Sequence, residues 1–578
     1  MRLIKLSANK ESFRTIEFNT TGLSLILASQ KVDDLRKTYN STGKSLSIAL
    51  THFCLGSYNN KAFENELPGW EFQLLFEIGD VVYESRRETK KQAEIFLNDR
   101  KYTLEKFKAF MFDLLFEVPE QAGYITFRSL ISRFIRSGKF AYNDATIYIR
   151  KEPDPARQLN NAYLLGLNTT LISDKLRLKK ELKEAKDFKK QLDLSPEFRT
   201  FLDKQPTRLN PDIKIKSLKD EIERLQVSLK SFVIAEDYNS LKLEADHKTR
   251  EIAERQNEMV RFKNIIANID DTLLLKKDIP VEKVFRMYDA AQVEIPDLIK
   301  RTAQEAEQFH LKILSDRTTR LLKEKQRFEA DVTVQKEKIV LLDRERSELL
   351  QFLKGRGALE EYLDLTRKMS DAVQQLEKFE FFKEFTTKQK NRINEIEISL
   401  RDGNIHANNY LTDEAMPLLE ENISLFQSIV RDCYDDKTAG IDVTNNEGDN
   451  QIRFDIHPYI DTDGGAGGVN KVKIFCYDWM VLLAQHHHKI EVIWHDSLIF
   501  EGVDARQKST LLKFALEQSD QRGLQYIIAL NQNEFEDIQK QFPKIAERLY
   551  QKCVLELTDE SDEMKLLGQM IDMEYDKG

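Results

Sequence analysis

Apolar and polar positions follow three different rhythms along the chain. Up to about residue 166 the apolar runs are short. Those at 3–6, 15–18, 23–27, 70–76 and 81–84 read as strands, and 104–116 reads as a helix. From about 167 to 407 the text is dense in Lys, Glu, Arg, Gln and Leu, with almost no strand signal. Leu218, Ile222, Leu225, Leu229 and Phe232 step by 4, 3, 4 and 3. Ile252, Met259, Phe262, Ile266 and Ile269 share one frame, with Arg255 in a slot; Ile339, Leu342, Leu349 and Leu353 share another, with Arg346 in a slot. Ile393, Ile396 and Leu400 continue the pattern. Alternating steps of three and four keep apolar side chains on one narrow seam, which predicts a coiled coil rather than a globular set of amphipathic helices. From 408 to 578 the pattern is mixed again: a helix at 414–434, a hairpin of 440–443 and 451–456 around a turn at 445–450, a glycine cluster, a helix and an apolar strand. Two α/β pieces, 1–166 and 408–578, separated by a helical hairpin predict one domain completed across an insertion.

Prolines locate the turns of that insertion. Pro280 and Pro296 place its tip around 271–300, because helix interiors disfavour proline. Each arm then holds roughly 100 residues, or ~150 Å if continuously helical. Pro196, Pro206 and Pro211 interrupt the first arm, and Lys354-Gly355-Arg356-Gly357 interrupts the second, a pair of breaks suited to an elbow.

Composition narrows the function classes. In 578 residues, 32% are charged and the net charge is -9, so any nucleic-acid contact must come from a local basic surface. Two clusters qualify, 128–139 (RSLISRFIRSGK) and 175–190; each reads either as a solvated helix face or as a phosphate-contacting surface. Cys54, Cys433, Cys476 and Cys553 form no CxxC pair and read as reduced, buried thiols, with no zinc-binding tip. No apolar run reaches the ~18 residues of a membrane span, and the N-terminus lacks a signal-peptide core, so a soluble cytoplasmic protein with no membrane partner is expected. His486-His487-His488 reads as a polar loop: consecutive side chains diverge and no nearby Cys completes a metal site.

Two segments carry chemistry. Thr38-Tyr39-Asn40-Ser41-Thr42-Gly43-Lys44-Ser45 comes after an apolar strand and opens a helix. Inward-turned amides at a helix N-terminus bind phosphate, Gly43 permits close backbone approach, Lys44 reaches the β- and γ-phosphates, and Ser45 can ligate Mg²⁺. Thr38 stands where a phosphate loop usually has its first glycine. The second segment, Ile490 to Asp496, is an apolar strand ending in a carboxylate. That carboxylate could hold Mg²⁺ through water, or merely cap the next turn of chain.

Asn40, Gly43, Lys44 and Ser45 match the G-x-N-G-x-G-K-S loop of SMC proteins and of recombination-repair coiled-coil ATPases; Thr38 and Ser41 replace two of its glycines. With Phe53-Cys54-Leu55-Gly56 and His495-Asp496-Ser497, the chain resembles a poorly characterised bacterial branch of SMC-like ATPases found in multi-component ABC-type anti-phage operons. The resemblance implies an α/β fold: an ABC-type P-loop ATPase head split by a long antiparallel coiled coil. It also implies ATP and Mg²⁺, with Asn40, Ser41, Thr42, Gly43, Lys44 and Ser45 around the phosphates. Ala466-Gly467-Gly468 would be the signature clamping ATP from the opposite subunit of a homodimer, Ala466 replacing its serine. Asp504 would lie in the D-loop, Asn531 in the place of the switch histidine, and Gln121 in the Q-loop. DNA at the root of the arms, and separate effector and accessory subunits, are the implied partners.

The resemblance leaves the catalytic base open. Ser497 comes after Asp496 where SMC heads have Glu, and a serine hydroxyl is too weakly basic to activate water. Glu501, if its loop folds back, and His495 are the candidates. Three functions fit: an ATP-driven DNA sensor or clamp of a defence complex, a DNA-repair or chromosome-maintenance ATPase, and an ATP-binding scaffold with little turnover.

Overall fold

The computed structural model describes residues 1–29, 42–117, 124–194, 211–230, 236–274, 297–353, 359–434, 437–461 and 467–569. The chain divides into two units: Met1–Lys179, Glu282–Ala306 and Leu400–Gly578 form one, and Lys180–Val281 with Glu307–Ser399 the other.

The N-terminal part runs β1 (Arg2–Ala8), β2 (Ile16–Glu17), β3 (Gly22–Ser29), α1 (Lys44–Cys54), α2 (Lys61–Glu66), β4 (Glu71–Ile78), β5 (Val81–Glu88), β6 (Glu94–Leu97), β7 (Arg100–Thr103), α3 (Leu104–Leu115), α4 (Phe127–Ile131), α5 (Asp154–Leu164) and α6 (Thr169–Leu194). Long helices come next: α7 (Pro211–Lys230), α8 (Glu236–Leu274), α9 (Asp297–Leu353) and α10 (Leu359–Asn409). A π-helical turn, Tyr410–Glu414, leads into α11 (Met416–Cys433), β8 (Ala439–Asn445), β9 (Phe454–Ile460), α12 (Gly467–Ala484), β10 (Val492–His495), α13 (Ala505–Arg522), β11 (Gln525–Asn531), α14 (Gln532–Gln541), α15 (Pro543–Tyr550) and β12 (Cys553–Thr558).

Apart from the two-stranded antiparallel pair β8-β9, two sheets make the first unit. One is antiparallel, in the order β2-β1-β4-β5-β6-β7. Residues of β4 are alternately buried and half-buried along its length, as one covered face requires. The other sheet is parallel, in the order β10-β11-β3-β12. All eight residues of β3 are buried, because a central parallel strand is covered on both faces. Here β3 from the N-terminal part lies between β11 and β12 from the C-terminal part. The short strands β6 and β7 have no counterpart in the sequence reading. The β8–β9 turn is also longer than expected. Asn446 accepts from the Gly448 N–H at 3.0 Å, and buried Arg453 donates to Asn404 Oδ1 at 2.6 Å, so the second strand starts only at Phe454.

In the second unit the seam residues Leu218, Ile252, Ile269 and Ile393 are buried, as the heptad rhythm requires. Lys186–Glu397 (2.8 Å), Lys383–Asp212 (2.5 Å) and Lys219–Glu380 (2.7 Å) join α6 and α7 to α10 in antiparallel sense. Lys248–Glu345 (2.6 Å) and the tilted ring pair Phe262–Phe328 (centroids 5.4 Å apart) join α8 to α9, again antiparallel. Yet α8 also lies along the start of α10, in the same direction: Lys242 sits 5.2 Å over the Tyr362 ring and Ser370 donates to Gln256 at 3.4 Å. The breaks expected at Pro196, Pro206 and 354–357 lie outside the described residues, and Pro211 starts α7. Both α6 and α7 thus contact the one helix α10. Of the expected tip at 271–300, residues 271–274 end α8 and 297–300 begin α9, while 275–296 lie outside the described residues.

Candidate functional site

The parallel sheet brings its C-terminal strand ends to one edge, where α/β sheets place ligands. Immediately before α1 stands Gly43, with φ +97°. An added Cβ there would meet Leu566 Cβ at 2.7 Å, and the Leu566 N–H donates to Thr42 O at 3.0 Å, so the segment after β12 packs on this turn. Lys44 and Ser45 open the helix. Although 452 positions away, Asp496 comes directly after β10 and meets them: Lys44 Nζ donates to Ser497 Oγ at 2.6 Å and to Asp496 Oδ1 at 3.3 Å. The Ser45 hydroxyl donates to Asp496 Oδ2, and Ser497 Oγ donates to Asp496 Oδ1 at 3.0 Å. Lys44 is 6% exposed and Asp496 4%. A hydroxyl and a carboxylate held together are the hard oxygen donors that Mg²⁺ takes, so the residues fit that ion.

Asn531, ending β11, reaches the same cluster: its Nδ2 donates to Ser497 Oγ at 3.4 Å. Asp504 accepts from the Gln507 N–H at 2.9 Å and caps α13. Gly468 lies in the first turn of α12, where an added Cβ would come 2.3 Å from Gly502 O; only glycine permits that backbone crossing. The candidate signature and D-loop segments of one chain therefore touch. Asn40, Ser41, Gln121 and Ala466 lie outside the described residues, while Gly467 starts α12.

A second buried cluster backs the site. The Arg136 guanidinium holds both oxygens of Asp478, with Nη2–Oδ1 at 2.7 Å. Asp478 also takes Tyr148 OH at 3.0 Å and His495 Nε2 at 2.9 Å, and His495 Nδ1 lies 3.2 Å from Tyr526 OH. Burial outweighs the Asp478 contact and lowers the His495 pKa. With both nitrogens engaged in the core, His495 has no access to a substrate, and the expectation that it helps as a base is corrected.

Glu501 does not fold back. It is exposed at the end of the turn Ser497–Phe500, and the charge it acts on is Lys471, whose own pKa burial lowers. The basic cluster at 128–139 is corrected as well: of its four cations only Lys139 is exposed, so its arginines form neither a solvated face nor a phosphate-contacting surface. Arg128, Arg133 and Arg136 are buried: Arg128 donates to His52 Nδ1 at 2.9 Å, Arg133 to Glu152 at 2.8 Å, and Arg136 to Asp478. In the second cluster, Lys175 is buried and donates to Ile452 O at 2.6 Å, but Lys180, Lys183, Lys186, Lys189 and Lys190 are exposed. His488 is buried against Val481 O (3.2 Å), His486 contacts Asn422 Oδ1 (3.0 Å) and His487 contacts Glu117 (2.7 Å). No metal-binding group is found among the described residues. Cys54, Cys433 and Cys476 are free and buried, while Cys553 is only partly so. No described helix is long and apolar enough to cross a membrane.

Residues 429–570 match a family described as an uncharacterised protein conserved in bacteria (DUF2326). No curated protein matches the chain. Among solved structures it is similar to the Smc head domain with a coiled coil and joint from Pyrococcus yayanosii, at 14% identity and TM-score 0.37, over 96% of this chain and 94% of that one. It is also similar to the Smc head domain with an extended coiled coil bound to the C-terminal domain of ScpA from Pyrococcus furiosus, at 12% identity and TM-score 0.32, over 96% and 93%.

One residue of the site was missed from the sequence. Glu534, in the first turn of α14, is half-buried, and its Oε2 accepts from the Asn531 N–H at 3.0 Å. Burial pushes its pKa up, while the charges of Lys44 and Lys508 pull it down and that of Asp496 opposes them. The pattern Asn531-x-x-Glu534 after an apolar strand is a capping-box signal that could have flagged it.

Proposed function

We propose that this protein is an SMC-like ATPase with an ABC-type P-loop head split by antiparallel coiled-coil arms. The observation that carries this reading is the meeting of Lys44 and Ser45, at the start of the helix after the central parallel strand, with Asp496 at the end of β10. Amides at the start of α1 receive the phosphates, and Lys44 neutralises the outer ones. Ser45 and Asp496 would hold Mg²⁺, which would supply positive charge to offset that of the phosphates. Asn40, Ser41 and Thr42 complete the loop. Gly467 and Gly468, with Ala466, clamp ATP across a homodimer, beside Asp504; Gln121 and Asn531 report the γ-phosphate. Head closure then moves the arms and changes their grip on DNA, for which the exposed lysines of α6 remain as a phosphate-contacting surface. The defence role, with effector and accessory subunits, rests on the sequence resemblance.

Ser497 after Asp496 favours a second reading, an ATP-binding scaffold with little turnover. Titration calorimetry with Mg-ATP, alongside phosphate release with and without duplex DNA, separates the two. Tight binding with turnover supports the ATPase. Binding alone supports the scaffold. No binding by the wild type removes both.

A further inference from the structure

Hydrolysis needs a group beside the γ-phosphate that takes a proton from the attacking water. Ser497 is too weakly basic, Glu501 acts on Lys471, and both nitrogens of His495 are engaged in the core. We propose that Glu534 is the general base of ATP hydrolysis, with Asn531 orienting the water. The proposal rests on the ATPase reading.

Its basis is placement. Strands β11 and β3 are parallel neighbours with Asn531 opposite Ala28, so the turn after β11 opens at the same sheet edge as the phosphate-loop candidate. A chain of contacts then crosses the site: Lys44 Nζ to Ser497 Oγ (2.6 Å), and Asn531 Nδ2 to the same Oγ (3.4 Å). Glu534 lies one turn further on and feels the charges of both Lys44 and Asp496. A carboxylate that only caps a helix uses one oxygen. Here Oε2 takes the Asn531 N–H (3.0 Å), while Oε1 takes no hydrogen bond from any described residue. Asn531 Oδ1 sits in the capping position yet closes no hydrogen bond of good geometry. Two acceptors without donors suit one water, which has two protons to give.

In the step itself, water gives one proton to the Glu534 carboxylate as its oxygen bonds to the γ-phosphorus. The bond from that phosphorus to the β–γ bridging oxygen breaks, and ADP leaves with the electron pair. The proton then passes from Glu534 to the departing phosphate.

The test uses Glu534→Gln and Glu534→Ala in the full chain. Gln keeps the cap, because its amide oxygen accepts the same N–H, but it cannot take a proton. Glu534→Gln is expected to melt with the wild type, to bind Mg-ATP within about threefold by calorimetry, and to release phosphate ~100-fold slower or worse. Nucleotide recovered from it after incubation should be ATP rather than ADP. If Glu534→Gln turns over within about threefold of wild type while Glu534→Ala only lowers the melting temperature, Glu534 is a cap and the proposal fails. If the wild type binds ATP but releases no phosphate, with or without duplex DNA, the proposal fails and nucleotide binding stands. If the wild type binds no ATP, both fail together.

Discussion

Two buried cation–carboxylate contacts lie side by side in the first unit, one at Asp496 and one reached through its neighbour His495, and they differ in how fully they are satisfied. Arg136 donates to both oxygens of Asp478 and to the carbonyls of Ala141, Ala145 and Ile147. Asp478 in turn takes Arg136, His495 and Tyr148. Lys44 has three donors and, among the described residues, two acceptors, Asp496 and Ser497. A saturated pair holds elements together and has nothing left for a ligand. An unsaturated one, at the edge of a parallel sheet, keeps capacity to receive an anion. Charge and burial alone would not have separated the two.

The largest expected effect on stability comes from emptying the saturated pair. Arg136→Met strands Asp478 as a buried charge and should cost about 3–5 kcal/mol in urea unfolding. A loss below about 1 kcal/mol would break the distinction. Lys44→Ala should do the converse: Mg-ATP affinity falls by about 2–5 kcal/mol, ~30-fold or more, while the unfolding midpoint moves less than in Arg136→Met. Unchanged affinity in calorimetry would remove Lys44 from the site.

Acid should attack the saturated side next. Burial, helped by the Arg128 charge, pushes the His52 pKa down to about 3, and burial does the same to His488. His52 is held neutral, Nε2 donating to Ile135 O at 2.9 Å and Nδ1 accepting from Arg128. Below about pH 6.5 the unfolded chain binds protons that these folded rings refuse. Stability is therefore full above that pH and falls as pH drops towards 3, by about 2 kcal/mol for each ring at pH 5. Denaturant titrations at pH 7 and pH 5 measure the difference, and a flat profile would contradict it. The smallest effect is expected at Glu501. Exposed and turned to Lys471, its change to Gln should leave phosphate release within about twofold, in contrast with Glu534→Gln.

The parts of the site that were legible share one property: their chemistry is carried by consecutive residues. A glycine at positive φ leading into Lys44 and Ser45 at a helix start, and an apolar strand ending in Asp496, are local patterns. The heptad seam of the arms is also local, since helix periodicity needs no partner. Glu534 was not legible as a site residue, because its place within reach of the Lys44 charge depends on β11 pairing with β3. The basic run at 128–139 was misread for a related reason: Arg136 is buried only because Asp478, 342 positions later, neutralises it.

Which segments are strands, helices and seams, and which residues open the candidate phosphate turn, was written in the order of residues, because backbone sterics and side-chain periodicity act over a few positions. Only the assembled molecule determined that α10 contacts both α6 and α7, that α8 lies along its start, which arginines are core, and which carboxylate meets Lys44. Those outcomes depend on desolvation and charge pairing between groups hundreds of residues apart, and such groups meet only when the sheet and the helices have come together.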